Sequence, residues 1–366
     1  MNAERLHRIL LEVKSDYETK GLLEKIRTVR DNLQNQVNQP QQPVHQENLV
    51  ASLNTLYDAL SSSPYNDFST GWKQIIAEIG GDGIFGTVLK EKIVTIFSYN
   101  QITPAAALQH IITIVTKLET FKTSIDSLIT GFNNLNIGAE ELEAGECELV
   151  YTIPRLFIQN KLNSLNKEIT ELNFILNNIS EVVTGEKKEF EVKTISSSDF
   201  SIYVLVSIYV AKVISEVVEK LIENYKKILE IKKLRNELRT IGMPDKETKS
   251  IEQYANSLMQ VEIEKIVKQV MNSYAKKDDG RKNELSNGIA IALNKIANRI
   301  DNGFNIEIRV KELSPIKEEE ATPESTEVAE MINIIKSNAK IMEYIKTDGQ
   351  PILQLSEGDE EKKAAK

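Results

Sequence analysis

The stretch IQNKLNSLNKEITELNFILNNISEVV, residues 158–183, decides the fold class. Aliphatic residues recur in it with spacings of four and three, and Asn, Lys and Glu fill most of the positions between them. This is the pattern of the a and d positions of a heptad repeat, which lie along one face of an α-helix. It predicts a long helix with an apolar seam made of Ile158, Leu162, Leu165, Ile169, Leu172, Leu176, Ile179 and Val183.

A second long helix is predicted over residues 200–241, where Asp199 offers an N-cap and Gly242 ends the pattern. Its apolar residues keep the heptad spacing, but Asn224 and Arg235 interrupt it, and a polar residue in such a seam usually fixes register or partner. We expect the two helices to pack side by side and to offer an interaction surface. On the first helix that surface is the seam from Ile158 to Ile179, and on the second it is Ile214, Leu221, Ile228 and Ile231.

Outside these helices the apolar period changes from helical to alternating in three places, residues 147–153, 189–195 and 304–310. Alternation of apolar and polar residues is typical of a half-buried strand. Three strands with one apolar face can form a stable sheet when a helix covers them. The fold class predicted is therefore mainly α, with a minor α+β character: a long-helix bundle or coiled coil carrying a small three-stranded sheet.

The chain is predicted to divide into three regions. Residues 1–100 form an N-terminal helical region with a Gln/Pro-rich loop at 35–46, and residues 101–313 form the long-helix bundle with its sheet. Residues 314–366 contain EEEATPEST and GDEEKKAAK, which have too little apolar surface to offset the entropy of ordering. We expect them to be a flexible acidic linker and tail with one possible short helix.

Composition limits the classes of function. The net charge of −9 disfavours nonspecific binding to nucleic acid or to an anionic membrane, although a local basic patch could override it. Cys147 is the single cysteine, so neither an intramolecular disulfide nor a thiolate metal site is possible. The N-terminal residues lack the unbroken apolar stretch of a signal peptide. A cytoplasmic protein that binds no nucleic acid is expected.

Three motifs invite a chemical interpretation. Gly81, Gly83 and Gly86 match G-x-G-x-x-G, but the segment before them is helical and Asp82 is negative where a phosphate would bind, so a plain turn is predicted. Cys147 lies between two glutamates, which raise the pKa of a thiol, so a half-buried strand residue is expected rather than a nucleophile. The glutamates of residues 140–148 could hold a hard cation, but a solvated cluster is expected. We predict no catalytic residue, cofactor or metal site.

The sequence leaves two functional hypotheses. The first is a non-enzymatic structural or interaction protein, such as a scaffold, assembly subunit or accessory factor, whose heptad-patterned helices bind a protein partner or a second copy. Such a protein should expose apolar seam residues. The alternative is a membrane-active helical protein that inserts the apolar start of helix 200–241. Residues 200–211 are the longest uncharged apolar stretch there, although that stretch is shorter than the roughly 18 residues of a spanning helix. We expect the stretch to be buried instead.

Overall fold

The computed structural model describes residues 2–196, 200–274, 279–311, 322–341 and 349–358. The chain forms two compact units, residues 1–141 and 142–366. The helix at 104–134 belongs to the first unit, whereas the sequence analysis divided the chain at residue 100. Each unit has its own apolar core.

The first unit is entirely helical in its described part. Its α-helices are α1 (Ala3–Thr19), α2 (Leu22–Asn38), α3 (Pro43–Ser61), α4 (Thr70–Ile76), α5 (Gly86–Tyr99) and α6 (Pro104–Asn134). Helix α6 packs against α1, α2 and α5, and α2 packs against α3. The loop expected at residues 35–46 is confined to residues 39–42, because α2 continues to Asn38 and Pro43 begins α3 at a position where proline is favoured.

The second unit combines long helices with a sheet. Its elements are β1 (Cys147–Thr152), α7 (Arg155–Ile158), α8 (Leu162–Thr184), β2 (Val192–Ile195), β3 (Ser201–Val206), α9 (Ile208–Thr240), α10 (Asp245–Asn272), α11 (Asp279–Asp301), β4 (Asn305–Val310) and α12 (Pro323–Ile341). The four strands form one antiparallel sheet in the order β2-β3-β1-β4. The mainly helical class with a small sheet is confirmed, with four strands instead of three.

The additional strand corrects the predicted helix 200–241. Residues Ser201–Val206 are β3, which lies between β2 and β1, and α9 begins only at Ile208. A strand with neighbours on both sides and buried faces reads as a continuous apolar run, and periodicity alone cannot distinguish such a run from a buried helix. The side chain of Ser207 marks the boundary, since its Oγ accepts a hydrogen bond from Val210 N at 3.4 Å. The apolar stretch 200–211 is therefore divided between β3 and the start of α9, and Ile202, Val204 and Val206 are buried.

Among the helices that the structure describes, none is both long enough and apolar enough to cross a membrane.

The heptad seam of α8 is only partly buried. Leu172, Leu176 and Ile179 lie in the core, and α8 packs against both α9 and α11, whereas Leu162 is 79% exposed and Ile169 41% exposed. A straight α-helix has 3.6 residues per turn, so positions seven apart drift around its axis by about 20° per heptad. Towards the N-terminus of α8, the seam consequently turns away from the buried face of the helix. The described helices form a packed bundle, and they do not show a coiled coil.

Two parts of the region expected to be a flexible tail are packed in the second unit. Helix α12 contacts α9 and β4, and it overlaps the short helix expected there. Residues 349–358 carry three buried apolar side chains, those of Ile352, Leu353 and Leu355. The linker expected from residue 314 and the end of the tail from residue 359 lie outside the described residues.

Candidate binding groove on the long helices

Residues 349–358, GQPILQLSEG, lie in a groove formed by α9, α10 and α11. We call them the C-terminal segment. Side chains from all three helices hold this segment by hydrogen bonds to its main chain: Arg235 from α9, Asn256 from α10, and Asn298 and Asp301 from α11. The groove therefore contacts the backbone of the C-terminal segment at successive positions.

The carboxylate of Asp301 is the central group of the groove. Its Oδ2 accepts hydrogen bonds from the main-chain N–H groups of Ile352 and Leu353, each at 2.6 Å. Its Oδ1 accepts from the Tyr225 hydroxyl at 2.6 Å and from Lys232 Nζ at 2.9 Å. All of these side chains are buried, and burial together with the Asp301 carboxylate raises the pKa of Tyr225. Asp301 thus links the helix α9 to the C-terminal segment.

Two asparagines pair with the segment as a neighbouring strand would. Asn256 Nδ2 donates to Ile352 O at 3.3 Å, and its Oδ1 accepts from Gln354 N at 2.7 Å. Asn298 repeats the arrangement on one residue: its Nδ2 donates to Leu355 O at 2.9 Å and its Oδ1 accepts from Leu355 N at 3.0 Å. A carboxamide carries one acceptor and two donors, so it can satisfy a peptide N–H and a peptide C=O together.

Arg235, which interrupts the heptad pattern of α9, binds the N-terminal end of the C-terminal segment. Its guanidinium donates to Pro351 O at 2.9 Å and also to Gln350 O. It is held in place by Glu252 at 3.1 Å and by Asn236. The side chain is fully buried. Arginine suits this position because its planar fork presents several donors in a fixed geometry.

The opposite end of the groove recognises a carboxylate. Glu357 accepts hydrogen bonds from Asn298 Nδ2 at 2.9 Å and from Arg299 Nη1 at 3.2 Å, and it lies 3.5 Å from Lys295 Nζ. Both cations also pair with carboxylates of α8: Arg299 Nε lies 2.8 Å from Glu168, and Lys295 Nζ lies 2.7 Å from Glu171. This buried ionic cluster joins α8, α11 and the C-terminal segment.

Most of the seam residues predicted for interaction lie inside the second unit. The core contains Ile158, Leu172, Leu176, Ile179, Ile214, Leu221 and Ile228. Leu165 and Ile231 are partly buried against it. Leu162 and Ile169 are exposed, and Leu156 of α7 is 92% exposed. We call these three exposed residues the exposed stripe of α7 and α8.

The other predicted motifs have local roles. Cys147 is a strand residue, as predicted, but it is fully buried in β1 instead of half-buried, and burial together with the neighbouring Glu146 raises the pKa of its thiol to about 12. Gly86 begins α5 with φ 55°, and a Cβ there would lie 2.1 Å from Asn66 Oδ1, the atom that accepts from Thr87 N. The amide at the start of α5, where a phosphate would bind, is thus already paired with Asn66.

The glutamates of residues 140–148 do not form one cation site. Glu140 Oε2 lies 2.6 Å from Arg5 Nε, and the buried Glu148 pairs with Arg309 at 2.9 Å. Across the described residues, no group of three or more His, Cys, Asp or Glu side chains is arranged to hold a metal ion. The cluster is divided among separate ion pairs.

The groove is not among the sites predicted from the sequence. Arg235 was one visible signal of the groove, as a charged residue in an apolar seam. The short apolar run PILQL at 351–355, inside an otherwise polar tail, was a second signal that could have indicated a docked segment. Asn256, Asn298 and Asp301 give no such signal, because nothing in a sequence distinguishes a polar residue that binds main chain from one that faces water.

Comparisons with protein-family models, with curated proteins and with solved structures find no match for this chain.

Proposed function

We propose that this chain is a non-enzymatic, cytoplasmic interaction protein that binds an extended segment of a protein in the groove of α9, α10 and α11. The observation that supports the proposal is that side chains from three helices hold the C-terminal segment through its main chain. In this structure the chain's own segment occupies the site. A partner's segment would take the same place.

The chemistry of the groove favours a peptide over other ligands. Without an occupant, the two hydrogen bonds to Asp301 Oδ2 and the two from the Arg235 guanidinium would have to be made with water instead. A hydrogen bond to a charged group contributes about 1.5–3 kcal/mol over the same bond to water. An extended main chain supplies N–H and C=O groups at the required spacing. The groove should therefore exchange one segment for another instead of standing empty.

The same contacts favour binding over catalysis. Asp301, Lys232 and Tyr225 are a set of groups that acid–base chemistry could use. Both oxygens of Asp301 are engaged, however, by Tyr225, Lys232 and two peptide N–H groups. A general base needs a free lone pair within reach of the proton that it abstracts. We therefore interpret this set as a clamp for the main chain.

A peptide-binding experiment tests the proposal. The full chain carrying Ile352→Asp and Leu353→Asp has lost two buried anchors of its own segment while keeping the groove. We expect it to bind a labelled, capped GQPILQLSEG peptide, measured by fluorescence anisotropy. The unsubstituted chain should bind at least about tenfold more weakly, because a tethered segment competes at an effective concentration in the millimolar range.

We call the chain that carries Ile352→Asp and Leu353→Asp the released chain. The control adds Asn256→Ala and Asn298→Ala to it, which should abolish peptide binding because the contacts of these two asparagines with the peptide main chain are gone. Circular dichroism establishes that each variant is folded. If the doubly substituted chain is unfolded, Leu355→Ala offers a milder release of the segment. A folded, released chain that does not bind the peptide would overturn the proposed function.

A second candidate function rests on the exposed stripe of α7 and α8. Leu156, Leu162 and Ile169 are the kind of exposed apolar residues that a helical scaffold presents to another chain. Exposed Lys161 and Lys167 flank them. We expect Leu162→Asp with Ile169→Asp to leave thermal melting unchanged while removing any self-association seen by sedimentation velocity. A monomer before and after the substitution would argue against this second function as self-association.

A further inference from the structure

The C-terminal segment fits its groove in one register, set by three kinds of position. We infer that the groove selects an occupant of the pattern G-x-x-I-L-x-L-x-E-G, with glycines at both ends, apolar anchors at the positions of Ile352, Leu353 and Leu355 and an acid at that of Glu357. The inference rests on the proposed function, and it names the chemistry of the partner: an apolar segment that has an acidic side chain and a glycine at its C-terminal end.

The apolar anchors are the first element of the pattern. Ile352, Leu353 and Leu355 are buried, whereas Gln350, Gln354 and Ser356 are exposed. The main-chain contacts with Asn256, Asn298 and Asp301 fix which residues point inward, because each contact is made at a defined peptide group. A segment shifted by one residue would place a glutamine where an anchor is buried.

Glycines at both ends are the second element. Gly349 has φ 77°, and a Cβ there would lie 2.6 Å from Asn236 Nδ2. Gly358 has φ 80°, and a Cβ there would lie 3.0 Å from Ile291 Cδ1. Both the left-handed backbone and the close approach disfavour any residue with a side chain. The occupant must therefore turn sharply as it enters and leaves the groove.

The acid is the third element. Glu357 reaches Asn298, Arg299 and Lys295, which lie together only at this end of the groove. Its side chain is 27% exposed, so solvent weakens the ionic part of the contact and the effect on binding should be moderate. The position of the acid relative to the anchors, more than the total charge of the peptide, should determine affinity.

An isomeric peptide tests the register. The released chain, Ile352→Asp with Leu353→Asp, is titrated with capped GQPILQLSEG and with a peptide carrying Gln354→Glu and Glu357→Gln. The two peptides have the same composition and charge, and only the position of the acid differs. Because the moved acid would lie at an exposed position, we expect the isomer to bind about fivefold to tenfold more weakly at low salt. The difference should shrink at 1 M salt.

The outcomes separate this inference from the function on which it rests. Equal affinity of the two peptides would overturn the inferred pattern and leave peptide binding intact, whereas no binding of either would overturn the proposed function. Should the released chain not fold, Gln354→Glu and Glu357→Gln are placed in the full chain instead. A labelled GQPILQLSEG peptide should then enter the groove of the swapped chain more readily than that of the unsubstituted chain, and equal entry would overturn the pattern.

Discussion

At the scale of single residues, Asp126 shows how one side chain connects helices of the first unit. Its Oδ2 lies 2.7 Å from Lys122 Nζ, and its Oδ1 lies 2.8 Å from Lys14 Nζ and accepts from the Tyr17 hydroxyl at 3.1 Å. Burial by itself raises the pKa of Asp126, but these hydrogen bonds outweigh burial and lower the pKa to about 2. The contacts therefore favour the ionised carboxylate of the folded chain.

The lowered pKa gives a stability that depends on pH. Because the folded pKa of about 2 lies below the ordinary 3.8, the stabilisation is present above about pH 4 and is lost as the pH falls from there towards 2. We expect Asp126→Asn to lower the melting temperature at pH 7 and to have a smaller effect at pH 2.5. Thermal melts at both pH values measure this, with the exposed Asp31→Asn as the control. An equal effect of Asp126→Asn at both pH values would contradict the role assigned to it.

At the scale of elements, helix α8 offers a matched pair of substitutions on one heptad seam. Leu172 is 5% exposed and Leu162 is 79% exposed. Leu172→Asp removes a buried side chain and introduces a carboxylate among apolar residues, which should cost about 3–5 kcal/mol or unfold the second unit. Leu162→Asp should change stability by less than about 0.5 kcal/mol. Urea unfolding of both variants checks the pair, and similar losses would mean that the seam is buried along its whole length.

The elements also show what the sequence could and could not predict. Helix α8 and strands β1 and β4 were predicted because their apolar periods are clear over their whole lengths. The pattern does not separate strand β3 from the start of α9, because both are apolar on all sides and only Ser207 marks the change of period.

The groove was beyond prediction for a different reason. Its contacts join residues that are far apart in the chain, such as Asp301 with Ile352 and Arg235 with Pro351. They are made with main-chain atoms, which every residue carries. Periodicity reports which face of an element is buried, but it does not report which distant peptide groups an Asn or an Asp will meet.

At the scale of the whole molecule, the first unit has the features of an independent domain. Its core is its own, and its last residues return to its first helix: Glu140 N donates to Glu4 O at 3.0 Å, and His7 Nδ1 lies 2.9 Å from Ile137 O. We expect a fragment of residues 1–141 to fold and to melt cooperatively, measured by circular dichroism. A fragment of residues 1–134 should melt at a lower temperature, because it lacks both contacts. A random-coil spectrum for the longer fragment would refute this independence.

The position of β1 in the sheet has a consequence for synthesis. A ribosome makes β1 before either of the strands that pair with it. Leu149 of β1 pairs with Val204 of β3 and with Ile308 of β4, and both of these residues are synthesised later. Until β4 emerges, at least one edge of an apolar strand has unpaired N–H and C=O groups, which is a template for pairing with another nascent chain. Non-local pairing of this kind is also slow. Unfinished chains of the second unit should therefore depend on chaperones, and polysomes crowded with them should aggregate through CELVYT.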